Sequence, residues 1–304
     1  MAKKIETKLT PKENLHRMLH GQMPEWLPLF SIFPGHSPEI PEEPASVWYN
    51  PSALSGERGP QGGKDIWGVE WVPTKETGGG ALPKPGDFIL KDIRKWRDVI
   101  KAPDTSSWDW AALAKKDLDA MPVDRTQTAI NFGVTVGYFQ TLMSFMGFNE
   151  GLMAMAEEPE AVKELFQYLA DFYVNVEEKM IDQVKPDTLQ LFDDTAAEKY
   201  PFISKEMYRA YLLPHYDRHA RYARERGLPI AMHNCRHSEV FFEDLTKIGA
   251  VQWDPVQRDN DIDGIQARYG RNLVLCGGWE ARGRLLEEGV TDDELRRSVR
   301  EAMD

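Results

Sequence analysis

From residue 188 onward, short apolar runs alternate with helical stretches, and this rhythm constrains the fold more than anything else in the chain. The runs cover residues 188–192, 228–235, 250–253 and 272–278. Helices are predicted between them, at about 204–226 (offset at Pro214), 239–248 and 262–269, and a last one opens at the Thr291-Asp292-Asp293-Glu294 capping box. Strands that take turns with helices form a parallel sheet with right-handed crossovers. Two more apolar runs, 27–33 and 128–134, come earlier. A helix at 159–184 carries Val162, Leu165, Phe166, Leu169, Phe172 and Tyr173 on one stripe. No Gly-rich phosphate turn follows the first run and no Walker pattern exists, which argues against a dinucleotide-binding sheet or a P-loop. The expected fold is α/β, a (β/α)8 TIM-type barrel in one domain spanning 1–304. The count reaches six core strands plus a strand-like segment at 67–72. Either a strand is hidden within 37–103, or the barrel is incomplete at its C-terminus.

Four of the runs end in reactive residues: Asp193-Asp194, His233-Asn234-Cys235, Asp254 and Cys276. Barrel enzymes keep their chemistry at the C-terminal ends of the strands. Residues i and i+2 of a strand face the same side, so His233 and Cys235 can aim a nitrogen and a sulfur at one point. That pair suits Zn²⁺ first, and Cys276 at another strand end would supply a third ligand, leaving a fourth position open. A buried histidine beside two inert thiols is the competing reading. Asp193 and Asp194 read either as catalytic carboxylates, orienting substrate or a ligand histidine, or as a turn in which one caps the next segment. A carboxylate-rich metal site completed by Asp193, Asp194 or Glu280 is a further reading. Asp254, followed by Pro255, reads as a cap. Phe192, Trp253 and Trp279 read as core packing or as walls for an aromatic substrate or a corrinoid face. His36 and His237 read as solvated.

Residues 37–103 are irregular and dense in Gly and Pro, and they are expected to fold over the barrel mouth as a lid-like excursion. With 37 Lys and Arg against 49 Asp and Glu, the net charge is −12 and no basic stripe appears, so nucleic acid is not an expected partner. Two cysteines 41 positions apart make no disulfide framework. No signal-like N-terminus and no apolar run of spanning length is seen, so a soluble, cytoplasmic protein is expected.

Met232-His233-Asn234-Cys235, then Ile248-Gly249-Ala250 with Trp253-Asp254-Pro255, then Leu273-Val274-Leu275-Cys276-Gly277-Gly278 resemble the uroporphyrinogen decarboxylase superfamily. Within it, the chain looks most like the zinc- and corrinoid-dependent methyltransferase branch. Lys12-Glu13-Asn14 to Pro28-Leu29 and Lys91-Asp92-Ile93 to Ala102-Pro103-Asp104 fit the same resemblance. It implies a barrel and methyl transfer to or from a corrinoid (cobalamin) carried by a separate protein. The thiol-methylating relatives match the His-x-Cys pair but place their third ligand nearer the C-terminus than Cys276, so Cys276 rests on the local reading alone. The decarboxylase branch carries an Arg-rich segment after its first strand, and here residues 30–36 contain no arginine.

Zinc would serve either by holding a thiol as thiolate or as a Lewis acid on an ether oxygen. The expected function is demethylation of a small methylated substrate, such as an aromatic methyl ether, or methylation of a thiol. A tetrapyrrole decarboxylase and a non-catalytic corrinoid- or tetrapyrrole-binding barrel are the alternatives.

Overall fold

The computed structural model describes residues 8–30, 44–59, 61–74, 80–134 and 137–303. Its centre is a curled, all-parallel half-barrel of six strands. In chain order the strands of the whole structure are β1 (Ser46–Tyr49), β2 (Gly63–Lys64), β3 (Glu70–Pro73), β4 (Ala81–Pro83), β5 (Ala129–Phe132), β6 (Thr188–Phe192), β7 (Ile230–His233), β8 (Ala250–Val256) and β9 (Val274–Gly277). The large sheet runs β1-β5-β6-β7-β8-β9, and β2-β3-β4 form a separate antiparallel sheet. The eight strands of a closed barrel are therefore not met; among the described residues the sheet has six, with β1 and β9 at its edges.

The hidden strand is β1, within the irregular stretch. The run at 27–33 adds only a margin to it: Ala45 N–H donates to Leu29 O at 2.7 Å and Phe30 makes one isolated parallel bridge with Ser46. Pro28 has no N–H to extend that ladder. The rest of that run, together with His36, lies outside the described residues. The segment near Trp67 joins the small sheet as β3 instead of the large one.

The helices used below are α1 (Pro11–Leu19), α2 (Trp96–Val99), α3 (Trp110–Ala120), α4 (Tyr138–Met146), α5 (Phe148–Glu157), α6 (Pro159–Val184), α7 (Lys205–Tyr211), α8 (Leu213–Glu225), α9 (Glu239–Lys247), α10 (Ile262–Tyr269) and α11 (Asp292–Met303). Local chemistry explains the boundaries. Thr10 and Glu13 close a capping box on α1, and Thr291 and Glu294 do the same for α11. Pro214 falls at the start of α8 and separates it from α7, whose N-cap Ser204 accepts from Met207 N–H. No helix among the described residues is long and apolar enough to cross a membrane.

Period-two alternation divides the large sheet into two chemistries. Val47, Tyr49, Ile130, Phe132, Leu189, Leu191, Ile230, Met232 and Trp253 point outward into one apolar cluster with the helices. Trp48, Asn131, Gln190, Phe192, His233, Gln252 and Asp254 occupy the alternate positions, on the concave face. The helix layer holds a buried ionisable pair: His219 on α8 bonds Glu177 on α6, and its other nitrogen bonds the Tyr138 hydroxyl of α4 at 2.7 Å. Both residues of the pair are 1% exposed. Replacing His219 by Leu should destabilise the protein by about 3–5 kcal/mol, because it strands the carboxyl of Glu177. The double variant with Glu177→Leu should recover much of that loss, as read by urea unfolding.

Candidate active site

The donors gather where β6 and β7 end. His233 is the last residue of β7, and Cys235 follows two positions on, so the pleat puts both on the concave face. Cys235 Sγ lies 3.4 Å from His233 Nε2. Asp194, just past β6, completes a group in which one ligand atom from each of Asp194, His233 and Cys235 falls within 4.8 Å of the others. Asp194 Oδ1 is 3.7 Å from His233 Nε2 and accepts the Cys235 backbone N–H at 2.9 Å. Its Oδ2 accepts from Gln140 Nε2 at 2.7 Å.

The register His233↔Asp254 between β7 and β8 brings a buried carboxylate to the other side of the ring. His233 Nδ1 donates to Asp254 Oδ1 at 2.8 Å, which leaves the Nε2 lone pair facing Cys235 and Asp194. Asp254, expected to cap a turn, instead orients the histidine. The ring is clamped as well: Phe192 stacks on it at 4.4 Å and 2°, and Trp48 meets it edge-on at 5.0 Å.

The donor set fits a divalent cation. Burial first, then the Asp194 charge, pushes the Cys235 thiol up to about 12. A carboxylate, a thiol and an imidazole lone pair converge there. A metal ion reverses that cost by favouring carboxylate and thiolate together. Zinc accepts this mixture of N, O and S ligands, and the carboxylate–histidine arrangement through Asp254 is the usual outer support of a ligand histidine.

Not every expected residue is there. Cys276 is outside the cluster. It sits on β9, and β8 lies between β9 and β7, so Asp194 from the adjoining strand end takes the third place. Burial, then the Asp254 charge, raises the Cys276 thiol to about 12. Trp253 points to the helix layer, stacked on Phe242 at 4.0 Å with its indole N–H donating to Asn234 O; alternation with Asp254 requires that. Trp279 is at the surface, its N–H on Ser298 Oγ. Glu280 is ion-paired with Arg236 and Arg282. His237 is half-buried and donates to the Asp259 carbonyl at 2.9 Å.

Asp193 faces outward between two in-facing neighbours and acts as a cap. It is fully buried and accepts from Phe139 N–H at 3.0 Å, Gln140 N–H at 3.1 Å and the Tyr216 hydroxyl. Burial raises its carboxyl to about 7 against the pull of those bonds. Gly137 makes the approach possible: its φ is +96° and a Cβ there would sit 2.4 Å from the Asp193 carboxyl.

A cavity of about 570 Å³ adjoins the cluster. Its floor is made by Trp48, Gln140, Gln190 and Phe192, its roof by Arg58, Trp67, Trp71 and Leu82 of the small sheet and its approach. Trp67 fastens that roof: its indole N–H donates to Tyr173 OH of α6 at 2.8 Å, in contact with the rings of Phe145 and Phe172. Trp48, Gln140 and Arg58 were not anticipated. Trp48 sat in the hidden strand, and nothing in the local sequence around Gln140 or Arg58 marks either.

A sequence profile of uroporphyrinogen decarboxylase matches residues 118–304. Among solved structures, a methyltransferase from Methanosarcina mazei aligns with a TM-score of 0.60 at 13% identity, over 97% of this chain and 90% of that one, a likeness of fold. No curated protein matches the chain by sequence.

Asp193→Ala should cost on the order of 3 kcal/mol in urea unfolding, since it strands buried donors at the start of α4. Metal content measured on the folded variant should be unchanged, because Asp193 faces away from the donor cluster.

Proposed function

This chain belongs to the uroporphyrinogen decarboxylase family, and from that premise we propose that it is a zinc-dependent methyltransferase. It would move a methyl group between a small methylated compound and a corrinoid carried by a separate protein. The observation that supports the reading is the cluster of Asp194, His233 and Cys235 with His233 Nδ1 held by Asp254. These three residues would hold the metal and leave one position open. Bound there, zinc supplies Lewis acidity to an ether or thiol ligand. Carboxylate, thiolate and neutral imidazole carry two negative charges, so the loaded site is neutral, as two thiolates would make it.

The chain's own residues do the rest. Asp254 fixes the tautomer of His233 and raises its basicity. Gln140 holds Asp194 in place from the start of α4. Trp48 and Phe192 pack on the His233 ring and line the cavity beside it. The small sheet serves as a lid over the mouth. The aromatic walls favour an aromatic methyl ether as donor, with methyl transfer to the reduced corrinoid.

The decarboxylase reading fits the cavity poorly. A polycarboxylated tetrapyrrole needs several cations, and among the described residues that line the cavity only Arg58 and Asp65 are charged.

The purified protein should bind about one zinc per chain by elemental analysis. Cys235→Ala and His233→Ala should lose both zinc and methyl transfer from methoxybenzene-type donors to cob(I)alamin, followed by absorbance. Metal-free protein with full transfer, or one that forms coproporphyrinogen from uroporphyrinogen, would defeat the proposal.

Two substitutions test the ligand set. Asp254→Asn should weaken zinc binding about 10–100-fold in a chelator competition. Cys276→Ser should leave it unchanged. A large loss in Cys276→Ser would restore that cysteine as the third ligand.

A further inference from the structure

The residue after Cys235 makes a tight turn. Arg236 has φ +67°, a left-handed conformation that crowds the Cβ of any residue but glycine. The turn aims the Arg236 N–H at Gln257 Oε1, 2.8 Å away. It aims the Arg236 carbonyl at Asn260 Nδ2, which donates to it at 2.9 Å. Gln257 and Asn260 lie just past β8, and both are buried. Asn260 Nδ2 also donates to the Gln257 carbonyl at 3.1 Å, so the two amides lock the loops after β7 and β8 together. The Arg236 guanidinium, ion-paired with Asp259 and Glu280, holds the turn from its outer side.

These bonds decide which way the Gln257 amide faces. A backbone N–H can meet only the oxygen of an amide, so Oε1 is fixed on Arg236 and the NH2 group takes the other side. The Cys235 sulfur is a partner of this side chain. Burial and then the Asp194 charge raise the Cys235 thiol, and a hydrogen bond from Gln257 opposes them. A bond that favours thiolate over thiol is one donated to the sulfur. Asp194 has a matching partner, since Gln140 Nε2 donates to its Oδ2. Each anionic donor of the cluster therefore has a glutamine amide behind it.

A metal-bound thiolate remains a nucleophile. In a site that handles an activated methyl group, a ligand sulfur competes with the intended acceptor. An N–H aimed at that sulfur engages the lone pair that would attack, and it draws electron density away from the metal.

We propose that Gln257 is a positioning residue of the metal site: its amide, oriented by the left-handed turn at Arg236, donates to the Cys235 sulfur, directs it at the metal and shields it from methylation. The proposal rests on the metal-binding part of the reading above and not on the identity of the methyl donor or acceptor.

The test has two readouts. Protein loaded with cobalt(II) in place of zinc reports the thiolate-to-cobalt charge-transfer band. Zinc-loaded protein is treated with iodomethane, in which the sulfur bonds to the methyl carbon and iodide leaves, and peptide mass spectrometry compares Cys235 with Cys276 as internal reference. Gln257→Met removes the amide. Gln257→Glu, ionised at mildly alkaline pH, keeps an acceptor for the Arg236 N–H and removes the donor. Both variants should move the band to lower energy, because the sulfur becomes richer in electrons. Both should raise the methylation rate of Cys235 about tenfold, the share of one charge-assisted hydrogen bond, with Cys276 unchanged. Band and rate unchanged in both variants, or changed only in Gln257→Met, would assign Gln257 to the loop alone and overturn the proposal. Wild-type protein that takes up neither cobalt nor zinc overturns it together with the metal site. Both shifts, in a protein that transfers no methyl group to cob(I)alamin, uphold the role of Gln257 and remove the methyl-transfer reading.

Discussion

The hydrogen bond from His233 Nδ1 to Asp254 Oδ1 is the constraint around which the site is built. It exists because β7 and β8 are parallel neighbours in a register that sets these two residues side by side. It turns an ambiguous imidazole into a directed donor. The Phe192 ring lying parallel on it and the Trp48 edge against it remove its remaining freedom. Cys235 and Asp194 then need only short side chains to arrive at the same point, since each hangs from a strand end that the sheet has already placed.

Much of this was legible in the sequence, for a reason that lies in the sheet. Strand–helix alternation after residue 188 announces a parallel sheet, and reactive residues at strand ends announce which end matters. The pleat predicts that His233 and Cys235 share a face, and they do. The same rule, applied one residue further, separates Asp193 from Asp194 and Trp253 from Asp254. Each pair has one member for the concave face and one for the helices. Residue type alone does not carry that parity, which is why it leaves Trp253 between core packing and a substrate wall and reads Asp254 as a cap.

What was not legible depends on distance across the fold. Cys276 looked equivalent to Cys235 because both end apolar runs, but strand order decides which ends meet, and β8 stands between them. The strand β1 escaped notice because it is four residues long and set in a Pro- and Gly-rich stretch. Arg58 and Gln140 became visible only once the small sheet and the start of α4 had been placed around the cavity. No local pattern encodes such meetings.

The helix α6 carries two anchors one turn apart. Tyr173 receives the indole of Trp67, which fastens the roof, and Glu177 receives His219, which fastens α8. They share a face because four residues make slightly more than one turn. A single residue inserted between them would swing one anchor by about 100° relative to the other. The surface loops of this protein can lengthen or shorten through evolution at little cost. This one turn cannot change length by a residue without releasing either the roof or the wall, so it is a point at which the architecture is closed to insertion and deletion.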